Sequence, residues 1–146
     1  MSEVILVANL ASTLVMVGVI WFVQVVHYPL LAIVPISTAS SVAVVHQRRT
    51  AYVVGLPMAV EGFSTLGLLG AAPDALWWWL PWVGAILLAV ALGSTVFLSV
   101  PRHGAMASNP TPELGRELVV TNWPRTIAWT ARAGICLWML AQVLTG

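Results

Sequence analysis

Lysine is absent from this chain, and charge of either sign is scarce: six arginines and five carboxylates are its only ordinary charged side chains. They amount to 8% of the residues, where a water-soluble domain carries about a quarter. An ordinary soluble fold is thereby excluded. The net charge of +1 is too small to hold a nucleic acid, and no such partner is expected. The missing lysine reflects GC-rich coding and points to a bacterial source. A lone cysteine, Cys136, permits no internal disulfide; within its apolar run it reads as a small buried hydrophobe. Internal repeats and low-complexity tracts are lacking as well.

What the chain has instead is apolar residues, 60% of the total. They gather into four segments of membrane-spanning length, about 20 residues each. These run from about Val4 to Val26, Ala51 to Leu69, Ala75 to Val100 and Pro124 to Leu144. The first has no basic region before it and no small-residue cleavage site after it, so it reads as a retained span rather than a signal peptide. Gly70-Ala71-Ala72-Pro73-Asp74 forms a tight turn, which makes spans two and three antiparallel neighbours. The expected fold is all-α: an integral membrane four-helix up-down bundle, one domain over residues 1–146.

The arginines set the expected orientation. Arg48, Arg49, Arg102 and Arg116 flank or fill the two longer connections, and Arg125 and Arg132 begin the fourth span. The other side shows only Glu3, Asp74 and the chain ends. The positive-inside rule then puts both termini outside and both long connections in the cytoplasm of a bacterial inner membrane. Trp77, Trp78, Trp79 and Trp82 read as the outer aromatic belt, with Trp123 at the inner one. Short extra helices are expected in the connections. Ser37 or Thr38 is a candidate N-cap for a helix through His46, continuing toward span two. Thr111-Pro112-Glu113 has the order N-cap, N1 proline, first-turn acid, starting a helix to about Asn122. Pro124 then kinks or restarts the chain.

Ionisable residues within spans are costly and count first as functional. Glu61 lies about 15 Å into span two and Arg132 about 10 Å into span four at 1.5 Å per residue. Arg132 alone could snorkel, and Glu61 alone could be a protonated carboxyl bonded to a neighbouring helix. A mutual ion pair accounts for both. On span four Asn122, Arg125, Trp129, Arg132 and Cys136 share a face, as do Asn9, Thr13, Met16, Gln24 and His27 on span one. Ser94 or Thr95, then Ser99, lead the same way toward Arg102-His103. Polar stripes of this kind also serve as glue between helices.

His27, His46 and His103 stand at the same ends of three spans. Such a histidine cluster can ligate a transition metal, iron or copper, or a haem. No HxxxH or HxxE spacing accompanies them, and hydrogen bonding or substrate contact is the competing assignment. Glu61 is too far from His46 to join it, about 22 Å along a continuous helix.

His27-Tyr28-Pro29 after span one, Val100-Pro101-Arg102-His103 after span three and the opening Asn122-Trp123-Pro124-Arg125 of span four carry a resemblance. The chain resembles a set of small bacterial four-helix membrane proteins and is distantly similar to the anthrone-oxygenase-like membrane family. The matching positions are Pro29, Pro101 with Asn109, and Asn122-Trp123 with Arg125; the three histidines lie outside that pattern. The resemblance implies oxidation of a lipophilic aromatic substrate by molecular oxygen, with or without a metal.

The functional expectation is a membrane-embedded oxidoreductase or oxygenase acting on an aromatic or quinone-type molecule near the cytoplasmic face. His27, His46, His103 and Arg125 are the candidate catalytic residues, the histidines as general bases or metal ligands and Arg125 as an anion stabiliser. Tyr28, Gln24, Glu61, Asn122, Trp129 and Arg132 are candidate substrate contacts. Expected partners are the lipid bilayer, a lipophilic small molecule and a second copy of the chain. The alternative is a non-catalytic subunit or transporter component, for which Gly55, Gly62, Gly67 and Gly70 on span two would suit helix packing.

Overall fold

The structure, a computed structural model, describes all residues from Met1 to Gly146. Four helices are long and apolar enough to cross a membrane: α1 (Ser2–Leu31), α2 (Ile36–Gly70), α3 (Leu80–Ser108) and α4 (Pro112–Thr145). They form a bundle in which α1 packs on α2 and α4, and α3 packs on α4 and α2. The chain ends and the turn at residues 71–79 lie together at one end, called here the terminal end. The short connections at residues 32–35 and 109–111 lie at the other, the basic end, with Arg48, Arg49, Arg102 and Arg116.

The helices outrun the apolar segments. His27-Tyr28-Pro29 does not end α1, which continues to Leu31, and α3 passes through Pro101 to Ser108. Hydropathy marks where apolar side chains stop, whereas a helix ends only where its backbone bonding fails. Each proline survives because a π-helical turn precedes it, Val23–His27 in α1 and Thr95–Ser99 in α3. The wider turn opens the backbone where the proline ring would otherwise strike the preceding carbonyl. Two further boundaries differ from the sequence expectation. The third helix starts at Leu80 rather than Ala75, because Pro81 fits only a first turn; Trp77, Trp78 and Trp79 sit in or beside the turn. The second needs no Ser or Thr cap, since Pro35 occupies that place and α2 runs unbroken for 35 residues.

In α4 the sequence signals hold. The Thr111 hydroxyl accepts from the Leu114 backbone N–H, with Pro112 and Glu113 in the first turn. This amphipathic piece ends at Thr121, and the helix restarts at Trp123, where Pro124 needs no hydrogen bond. Gly115 is required there: a Cβ would come 2.8 Å from Ala32 Cα, so the segment meets the end of α1 backbone to backbone.

Leu6, Leu10, Leu80 and Met139 fill the bundle near the terminal end, and Met16, Ile20, Ala128 and Trp129 fill its middle. The outer surface is also apolar. Trp78, Phe63, Phe97 and Leu56 are each more than 70% exposed. The chain thus buries a polar network among its apolar core and presents large hydrophobes on its outer surface, unlike a soluble protein.

Candidate functional site

Two polar centres occupy the bundle. The deeper one is built on Glu61 and Arg132, whose side chains are 0% and 1% exposed. Arg132 Nε donates to Glu61 Oε1 at 2.9 Å, and its Nη2 donates to Thr65 Oγ1 at 2.7 Å and Asn9 Oδ1 at 3.1 Å. Nη1 donates to the Gly84 carbonyl. Glu61 accepts further from the Thr13 hydroxyl at 2.8 Å and the Trp129 indole N–H at 3.0 Å. Asn9 Nδ2 donates to Ser64 and Thr65, and the Cys136 thiol donates to Asn9 Oδ1. Residues from all four helices thus meet around one ion pair. The pairing expected from insertion cost is present, and it is direct. Cys136 is buried as expected, with a polar contact added.

The second centre lies toward the basic end. Arg125 Nη2 donates to Tyr28 Oη at 2.9 Å, and Tyr28 Oη lies 2.8 Å from His103 Nε2. Arg125 Nε donates to Asn122 Oδ1 at 2.9 Å; Asn122 Nδ2 donates to Gln24 Oε1 at 2.8 Å, and Gln24 Nε2 to the Val119 carbonyl at 3.1 Å. His46 stacks on His27 with ring centroids 4.3 Å apart and stands 5.1 Å from His103. Thr50 Oγ1 lies 3.1 Å from His46 Nδ1, and Gln47 donates to the His103 carbonyl at 2.9 Å. The π turns aim this set. Each adds a residue to its turn just before Tyr28 or His103, rotating the downstream side chains away from their regular helical positions.

Beside these groups is a cavity of about 290 Å³. Met16, Ile20, Val54 and Met58 form its apolar wall, while Tyr28, His46, Gln47, Thr50, His103 and Arg125 form its polar end. Trp129 joins the two centres: its ring lines the cavity and its N–H is held by Glu61. Two buried side-chain polar atoms in the protein lack a hydrogen-bond partner, His103 Nδ1 and His27 Nε2, and both belong to this region.

Of the residues singled out from sequence, Tyr28, His46, His103, Arg125 and Trp129 line the cavity, as do Met16, Thr95 and Ser99 of the polar stripes. His27 is stacked behind His46. Gln24 and Asn122 do not reach the cavity; they brace Arg125 from behind. Glu61 and Arg132 are also off its surface, because their polar atoms are committed to each other and to three helices. The site residues missed from sequence are Gln47, Thr50, Val54 and Met58. His46, Thr50, Val54 and Met58 recur every four residues of α2, a face legible once α2 is known to continue through His46.

No trio of His, Cys, Asp or Glu is arranged to hold a metal ion. The His27 and His46 planes are only 24° apart, so lone pairs lying in those stacked planes cannot converge at bonding distance on one ion. Tyr28 engages the near nitrogen of His103. The arrangement suits hydrogen bonding and proton transfer instead. No protein-family model matches the chain, and no curated protein or solved structure is significantly similar to it.

Proposed function

We propose that the chain is a four-span protein of a bacterial inner membrane, both termini outside, that binds a lipophilic aromatic or quinone-type molecule and oxidises its phenol, enol or hydroquinone form. The observation that carries this reading is the Arg125–Tyr28–His103 hydrogen-bonded chain at the polar end of a cavity whose opposite wall is apolar. An apolar ring system fits the wall of Met16, Ile20 and Met58. A phenol, enol or quinone oxygen fits the polar end. Tyr28, His46 and His103 border that end of the cavity, beside the position such an oxygen would take. Arg125 stabilises phenolate or enolate charge, and His103 with Tyr28 moves the proton. Dioxygen as the electron acceptor is drawn from the resemblance to the anthrone-oxygenase-like family. Orientation rests on the arginines at the basic end, and insertion on the apolar outer surface.

The test is titration of purified protein with 1,4-naphthoquinone and 1-naphthol, followed by dioxygen uptake with anthrone. We expect saturable binding, weakened at least tenfold in His103→Gln and Arg125→Lys, with uptake lost in both. Unchanged binding in both variants overturns the site. Binding without uptake favours a non-catalytic subunit or transporter component. That second reading has one observation of its own: Gly55 and Gly62 open onto unfilled space on the outer side of α2, beside the exposed Leu56 and Phe63.

A further inference from the structure

A second void, of about 700 Å³, lies between α1 and α2 and opens sideways. Gly18, Phe22, Val45 and Val53 give it an apolar floor, and His27, Ser41 and Arg49 stand at its basic end. Gly18 has nothing within 4 Å of where a side chain would begin, which leaves the groove open. No acidic residue lines it. Arg49 makes no ion pair, whereas Arg102 and Arg116 at the same end of the bundle each do. The groove is therefore an apolar channel ending in one unpaired guanidinium.

From this we infer that the α1–α2 groove is a binding site for an anionic glycerophospholipid, its acyl chain along Gly18, Phe22 and Val45 and its phosphate on Arg49. Guanidinium matches phosphate oxygens in a bidentate fork, and basic pockets between membrane helices hold anionic headgroups. A packed protein helix fits worse, because it would bury Arg49 and His27 against a surface with no acid of this chain to neutralise them. A zwitterionic lipid brings its own cation to the same place. The site rests on the membrane reading above but not on oxidation, and it shares only Val19, Val23, His46 and Thr50 with the cavity wall.

Native mass spectrometry of the detergent-purified chain tests it, with dioleoyl-phosphatidylglycerol, dioleoyl-phosphatidylcholine and oleate as probes. We expect phosphatidylglycerol to be retained at least tenfold over the other two. Arg49→Gln removes that preference, and Val45→Trp, which fills the groove at constant charge, removes retention; Arg48→Gln leaves both. Equal retention of the phospholipids, preference for oleate, or loss in Arg48→Gln equal to that in Arg49→Gln overturns the lipid site and leaves the membrane reading standing. Recovery of the chain in the aqueous fraction without detergent overturns both.

Discussion

The two polar centres use similar residue types under opposite packing. Around Glu61 and Arg132 every buried polar side-chain atom is bonded, and Gly84 packs closely: a Cβ there would be 3.2 Å from Arg132 Nη1. Around Tyr28, His46 and His103 there is a 290 Å³ void and an imidazole nitrogen without a partner. A saturated network holds helices together and has nothing left to offer a ligand. An unsaturated one beside a void is where a ligand lowers the free energy. Depth and charge alone point to Glu61–Arg132, the centre whose polar atoms are all committed within the protein.

The sharpest way to break this comparison is to strand one charge. Glu61→Gln or Arg132→Gln alone should cost about 3–5 kcal/mol, the range for removing one partner of a buried pair. The double variant should cost clearly less than the sum, as read by unfolding in detergent. Strictly additive losses would remove the ion pair's structural role. Next comes added bulk. Gly84→Ala should cost about 1–3 kcal/mol by overpacking against Arg132. Val54→Phe, which points its bulk at the cavity, should leave the unfolding midpoint nearly unchanged yet weaken 1-naphthol binding at least tenfold. Equal stability losses in the two would mean that the cavity is as tightly packed as the network.

Tyr28→Phe sharpens the contrast from the other side. Losing the hydroxyl that joins Arg125 to His103 should cost about 1–2 kcal/mol, less than stranding Glu61, while ligand affinity falls more than it does in Glu61→Gln. The smallest effect belongs to an ion pair of the same chemistry at the surface. Arg102 Nε lies 3.1 Å from Glu117 Oε2, with side chains 27% and 52% exposed. Glu117→Gln should cost no more than about 1 kcal/mol, and less still at high salt. A loss approaching that of Glu61→Gln would show that burial is not what separates the two pairs.

Much of this architecture is legible in the residues alone. The four apolar segments, the Thr111-Pro112-Glu113 start and the meeting of Glu61 with Arg132 follow from local chemistry and insertion cost, which need no knowledge of neighbours. The stripe Asn9, Thr13, Met16, Gln24, His27 is legible as one face but not as two functions. Asn9 and Thr13 serve the ion pair, Gln24 braces Asn122, and His27 stacks on His46. The π turn at Val23–His27 interrupts the regular register before the last of these, and spacing rules written for 3.6 residues per turn do not register it.

Residue content alone makes this chain helical, gives it four segments suited to cross a membrane, and gathers Arg48, Arg49, Arg102 and Arg116 around the two longer connections. Composition and hydropathy are sums over residues, and neighbours do not alter them. Packing of the four helices sets which polar residues hold the bundle and which border a void. That assignment depends on who sits opposite: Gly84 and Thr65 for Arg132, Tyr28 for Arg125, and the Met16–Met58 wall for the imidazoles. Partners brought together from different helices set it, and no spacing along one helix encodes them.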